Sequence, residues 1–173
     1  MDKMNNNTAY IIKRIYDIRK EKPGKKTLQK LIFLIEQKEI DLNYEYGLHF
    51  YGPYSGDLDA VTTLLSADGI IEFDYSGYSH KMSISKHYEI LPENNLSPQE
   101  VDEIDVIISR FKEKSASDLE LLTTAIYAYN NLEDKTKVSI INGVKKIKGN
   151  KYSEDDINCV FNDFDFFNKK FDN

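Results

Sequence analysis

The sequence predicts a mainly α protein with a small β part. A winged-helix-like half over residues 1–92 is followed by a helical half over residues 93–173, the two packed as one unit. Three observations carry this reading. Apolar residues keep a helical period through residues 8–20 and 28–35. Residues 44–51 and 70–85 switch to the two-residue period of strands. Beyond residue 96 helical spacing returns behind serine caps. A length of 173 residues suits one domain or two small subdomains. A hydrophobic fraction of 40%, with 12 Tyr and 9 Phe, supplies a core and excludes a disordered chain.

Ile11, Ile12, Ile15, Tyr16 and Ile18 place the first helix over 8–20, ended by the Pro23-Gly24 turn. Thr27 is the expected N-cap of the second helix. Its Leu28, Leu31, Ile32, Leu34 and Ile35 form a face too wide for a surface helix, which puts it at the centre of the core. Tyr44, Tyr46, Leu48 and Phe50 then alternate with Glu45, Gly47, His49 and Tyr51 as a strand. Gly52-Pro53 is expected to stop it, since proline cannot donate to a ladder. Ser55 caps a third helix, with Leu58, Val61, Leu64 and Leu65 inward and Gly69 as its stop. The runs 70–75 and 81–85, joined around Ser76-Gly77-Tyr78-Ser79, form a hairpin. This order is that of a winged helix; a helical bundle decorated by a small sheet is the alternative.

A polar connector over 92–96 marks the boundary between the halves. Ser97-Pro98-Gln99-Glu100 is a capping box with proline at the first helical position, followed by Val101, Ile104, Ile107, Ile108 and Phe111 as a buried face. Ser117-x-x-Glu120 reads as a second capping box. Val138, Ile141, Val144 and Ile147 mark the next helix, stopped at Gly149. Ser153 opens the last, with Glu154, Asp155 and Asp156 complementing its dipole and a run from Ile157 to Phe171 as its apolar side. Cys159 falls among those apolar residues and is expected to be a buried thiol.

Composition and motifs narrow the function. The longest aliphatic-plus-Phe run, Leu31 to Ile35, is far short of the about 20 residues a membrane span needs. The first residues lack an apolar leader. One cysteine excludes an internal disulfide framework and a multi-thiolate metal site. A cytoplasmic protein without a membrane partner is expected. No GxGxxG, GxxxxGK[ST], GxSxG or HExxH occurs, and His49, His80 and His87 lack a ligand spacing. Asp102, Glu103 and Asp105 read as the solvent face of a capped helix. No enzyme activity, metal or cofactor is therefore expected.

Charge is unevenly spread. Residues 1–40 carry ten Lys/Arg and five Asp/Glu, a net of +5, so residues 41–173 carry 13 against 24, a net of −11. Lys20, Lys22, Lys25 and Lys26 crowd one loop, either a solvated connector or a set of phosphate contacts. The third helix, where a winged helix would read DNA, has Asp57, Asp59 and Asp68 and no Lys or Arg. It would repel phosphate and has no arginine for guanine. A protein partner with a basic surface is thus expected, met by Asp57, Asp59 and the interface-type residues His49, Tyr51 and Tyr54. The alternative is a DNA-binding regulator that contacts phosphates through the same loop lysines, acting as a homodimer.

Three blocks, Lys30-Leu-Ile-Phe-Leu-Ile35, His49-Phe-Tyr-Gly-Pro-Tyr-Ser55 and Leu119-Glu-Leu-Leu-Thr-Thr-Ala-Ile-Tyr127, resemble in that order the YwgA-like family of small bacterial and phage proteins. They are also similar to the C-terminal domain of DarG antitoxins and, more distantly, to Panacea-type antitoxin domains. The resemblance spans about residues 25–165. It implies a non-enzymatic module that docks on a toxin and imitates DNA; DarG's N-terminal macrodomain has no counterpart here, so inhibition would come from binding alone. Leu119, Leu122 and Ile126 share one helical face and read as core, with Thr123 and Thr124 hydrogen-bonded inside it.

Overall fold

The computed structural model describes residues 3–88, 91 and 93–172. They form seven α-helices and two small antiparallel sheets. In order these are α1 (Lys3–Arg19), α2 (Lys25–Glu36), β1 (Gly47–His49), β2 (Gly52–Tyr54), α3 (Gly56–Ala67), β3 (Ile71–Asp74), β4 (Lys81–Ile84), α4 (Pro98–Arg110), α5 (Ala116–Asn131), α6 (Lys137–Lys148) and α7 (Glu154–Val160).

Helix α2 is the centre of the molecule, as its pattern requires. Residues 28–35 are all buried, including the polar Gln29 and Lys30. It packs on α5 and α4, while α1 packs on α3 and α4. One continuous apolar cluster runs from Ile11 and Ile32 through Ile108 and Leu122 to Phe164. The Pro92 of the expected connector lies outside the described residues. Its following stretch is tied to α1 by bonds from Asn6 Nδ2 to the Glu93 carbonyl (3.0 Å) and from the Asn95 N–H to Asn7 Oδ1 (2.9 Å).

Several local expectations are corrected. Helix α2 takes Gly24 as its N-cap, and Thr27 lies inside it, because Pro23-Gly24 is pinned to the β3–β4 hairpin: the Met82 N–H donates to the Pro23 carbonyl at 2.9 Å and Gly24 bridges Lys81. The expected strand over 44–51 is shorter, and Gly52-Pro53 continues it as a hairpin, with Leu48 opposite Pro53 and His49 opposite Gly52. Gly52 at φ +88° makes this turn, and proline is tolerated on a two-stranded ribbon that has a free edge. That ribbon does not join β3–β4, so the β part is two sheets instead of one strand beside a hairpin. Leu64 is 53% exposed and Val138 67% exposed, so neither belongs to the core; Ile140 takes the latter's place. The last helix is shorter than its apolar run: after Val160 the chain tightens into two 3-10 turns, which stack Phe164 on Phe171. Cys159 is exposed, since α7 turns it away from Ile157 and Val160.

Helix α5 is capped by Ser115, not Ser117, with Asp118 completing the box. Both serines fit the pattern; the choice is made by Glu120, which the structure buries completely. The caps at Ser55, Ser97 and Ser153 are as expected.

Candidate functional site

Around the start of α2 the two groups of residues singled out in the sequence come together. A cleft of about 670 Å³ lies between the first turn of α2, the β1–β2 hairpin and the tip of the β3–β4 hairpin. His49, Tyr51 and Tyr54 line one side, Lys22, Lys25 and Lys26 another, and Tyr78, His80 and Lys81 of the β3–β4 hairpin a third. Lys20 is exposed, does not line it, and adopts the left-handed backbone (φ +57°) that lets the chain leave α1.

The lysine-rich loop is fixed at both of its ends. Arg19 donates to the Phe111 and Lys114 carbonyls at 2.8 and 2.9 Å, satisfying the end of α4. Lys81 pairs with Glu21 at 2.6 Å. These contacts, with the pinned Pro23, hold Lys22, Lys25 and Lys26 toward the cleft.

Of the acids expected on the docking helix, Asp57 and Asp68 are exposed. Asp59 is engaged: Lys25 Nζ donates to it at 2.7 Å, and it raises the Tyr54 hydroxyl pKa in addition to the effect of burial. So α3 keeps an acidic face at its first turn, but its Asp59 neutralises a cleft lysine instead of facing outward. Asp105, placed on the solvent side of α4, instead forms a two-pronged pair with Arg14 at 2.9 and 2.6 Å and ties α1 to α4.

Beneath the hairpin lies a charged cluster that the sequence did not reveal. Glu120 accepts from Lys148 at 2.8 Å and Lys151 at 2.7 Å and also pairs with Lys26. Burial pushes its carboxyl up, but the three ammonium groups outweigh burial and hold it at about 2. Lys148, its side chain 3% exposed, also donates to the Phe50 carbonyl at 2.9 Å. Lys30, 1% exposed, donates to the Pro53 carbonyl at 2.5 Å, and burial lowers its pKa to about 7 against the pull of Glu120. Among the described residues no carboxylate lies within ion-pair distance of Lys30. The Tyr-Gly-Pro-Tyr turn thus rests on two buried lysines, and Gly52 sits so close to α5 that a Cβ there would lie 2.7 Å from Thr124 Oγ1. Thr123 donates to the Leu119 carbonyl at 2.8 Å as expected, whereas the buried Thr124 hydroxyl has no hydrogen-bond partner among the described residues.

The outer side of the hairpin is apolar and exposed. Leu48 is 48%, Phe50 81% and Tyr51 51% exposed, with Phe50 and Tyr51 edge to face at 5.1 Å. His49 stacks at a tilt on Tyr54 at 5.1 Å, and Lys26 Nζ lies 5.2 Å from the Tyr51 ring centre.

Among the described residues no helix is long and apolar enough to cross a membrane. No family model matches the chain. It is 28% identical over 144 residues to the protein named "Uncharacterized protein YwgA" of Bacillus subtilis (strain 168), a likeness covering 76% of this chain and 81% of that relative. This likeness supports the YwgA-like family that the three sequence blocks resemble.

Proposed function

We propose that the protein acts by binding and not by catalysis, as an antitoxin- or inhibitor-like module that docks on another protein. The docking face is the outer side of the β1–β2 hairpin with the first turn of α3 at its base. The observation that carries this reading is the exposed Phe50 on a backbone braced from behind, since Lys148 holds the Phe50 carbonyl and Lys30 the Pro53 carbonyl. A rigid aromatic anchor loses little conformational freedom on association. The exposed Asp57 in the first turn of α3 calls for a partner pocket that is apolar at its centre and basic at its rim. The resemblance of the turn to that of DarG-type domains supports the same reading.

Co-expression with the products of neighbouring genes tests it, with a stoichiometric complex on size-exclusion chromatography as the positive result. Phe50→Ala is expected to weaken that complex by about 2 kcal/mol or more, the range of an interface anchor. Asp57→Lys is expected to weaken it further by charge reversal. A complex indifferent to both changes refutes the proposed face, and absence of any complex refutes the proposed role.

The ordered lysines favour a second reading, a DNA-binding regulator that contacts phosphates through Lys22, Lys25 and Lys26. It requires retardation of duplex DNA that falls steeply with salt. The cation-free α3, with Asp57 and Asp68 exposed, would offer it no base-reading contact.

A further inference from the structure

The cleft has the opposite sign to the docking face beside it. Six cations and one carboxylate line it: Arg19, Lys22, Lys25, Lys26, Lys30 and Lys81 against Glu21. Three carboxylates reach in from outside, Asp59 to Lys25, Asp74 to Lys22 and Glu120 to Lys26, and with Glu21 on Lys81 they leave Arg19 and Lys30 as the two basic groups without a paired carboxylate among the described residues. Glu120 is moreover already shared with Lys148 and Lys151. The Lys22–Asp74 pair is long, 3.8 Å, and both side chains are over 40% exposed, so it contributes little.

The excess is directed to one place. Lys30, at the floor, is almost wholly buried and uses one donor on the Pro53 carbonyl. The first turn of α2 lines the same cleft, and Gly24 gives it no side-chain cap, so its N–H groups and dipole favour an anion there. The walls are aromatic: Tyr51, Tyr54, Tyr78, His49 and His80. The volume of about 670 Å³ is that of a small-molecule site.

We propose that this cleft binds a phosphorylated ligand bearing a flat ring, the chemistry of a nucleotide, either free or at the end of a nucleic-acid strand. The phosphate lies against Lys22 and the first turn of α2 and competes with Asp59 for Lys25, while Lys30 adds its field from below. The ring stacks on the exposed face of Tyr51, with the tip of the β3–β4 hairpin as the opposing rim. This goes beyond the docking role: it needs no protein partner, so the two stand or fall in separate experiments.

Calorimetry and amide NMR on the intact chain test it, with adenosine monophosphate, adenosine, inorganic phosphate and a short single strand with a terminal phosphate as probes. The nucleotide is expected to bind more tightly than adenosine or inorganic phosphate and to shift the amides of Lys25, Lys26 and Tyr51. Lys22→Gln and Lys25→Gln are each expected to weaken it about tenfold, the loss of one charge-assisted hydrogen bond. Both side chains are over 40% exposed, so the fold survives, as circular dichroism would verify. Tyr51→Ala is expected to weaken the nucleotide about tenfold through lost stacking while leaving inorganic phosphate unchanged. Tighter binding of the strand than of the nucleotide assigns a strand end as the ligand, and equal binding assigns the free nucleotide. The proposal is overturned by absence of heat and amide shifts with both nucleotide and strand, by shifts confined to other surfaces, or by affinities that ignore all three substitutions.

Discussion

Replacing Glu120 by Gln removes the one carboxylate that three lysines share, and the cost can be worked from the site. The variant leaves Lys148, 3% exposed at its side chain, without its counter-charge, and Lys30 in a cluster now wholly cationic. Burial opposes ionisation of Glu120, yet the lysines hold its pKa at about 2 against an ordinary 4.5. That difference is worth about 3 kcal/mol of folding stability. Breaking a buried pair from one side costs about 3–5 kcal/mol by the same reasoning from desolvation. The pH dependence identifies the cause. Because the folded pKa is depressed, the stabilisation is complete above 4.5, declines as the pH falls below it, and is gone near 2. The gap between the native chain and Glu120→Gln should therefore shrink from about 3 kcal/mol at neutral pH to roughly 1.5 kcal/mol near pH 3. Urea denaturation at the two pH values measures both gaps, and Lys148→Met in the Glu120→Gln background should recover part of the loss. A neutral-pH loss below about 1 kcal/mol, or a gap that does not change with pH, would refute the account of the cluster as a buried, charge-held brace.

Lys30→Met should be neutral or stabilising at pH 7, because it removes a buried amine that no carboxylate among the described residues pairs. The native chain should gain stability as the pH rises from about 7 toward 10.5, where the unfolded lysine also loses its proton, and the variant should lose that gain in a pH series of urea melts. Gly52→Ala should cost about 1–3 kcal/mol in thermal denaturation from its positive φ, with an added clash on Thr124 that Thr124→Ala relieves while the φ cost remains. Ser115→Ala should destabilise α5 by about 1 kcal/mol and Ser117→Ala hardly at all, a pair of melts that checks which serine is the cap.

Much of the architecture was legible. The wide apolar face of α2, the Ser97 box, the Ser153 and Ser55 caps and the 71–84 hairpin all follow from spacing and local chemistry. The misreadings share one physical cause. Thr27, Ser117 and the Gly52-Pro53 stop were inferred from residues within four positions, whereas the outcome depended on partners far along the chain: Met82 for the start of α2, Lys26, Lys148 and Lys151 for Glu120, and Lys30 for Pro53.

The candidate site divides in the same way. Sequence alone determined which side chains were available: a lysine-rich loop, an aromatic turn, an acidic third helix and a chain in which positive charge sits ahead of negative. Only the tertiary structure decided that the loop and the turn face one cleft, that Asp59 turns inward to Lys25, and that Glu120 lies at the bottom of a lysine cluster. Periodicity and capping act over one or two turns of chain and are written in neighbouring residues. Electrostatic pairing depends on distance through space, which a one-dimensional order of charges does not contain.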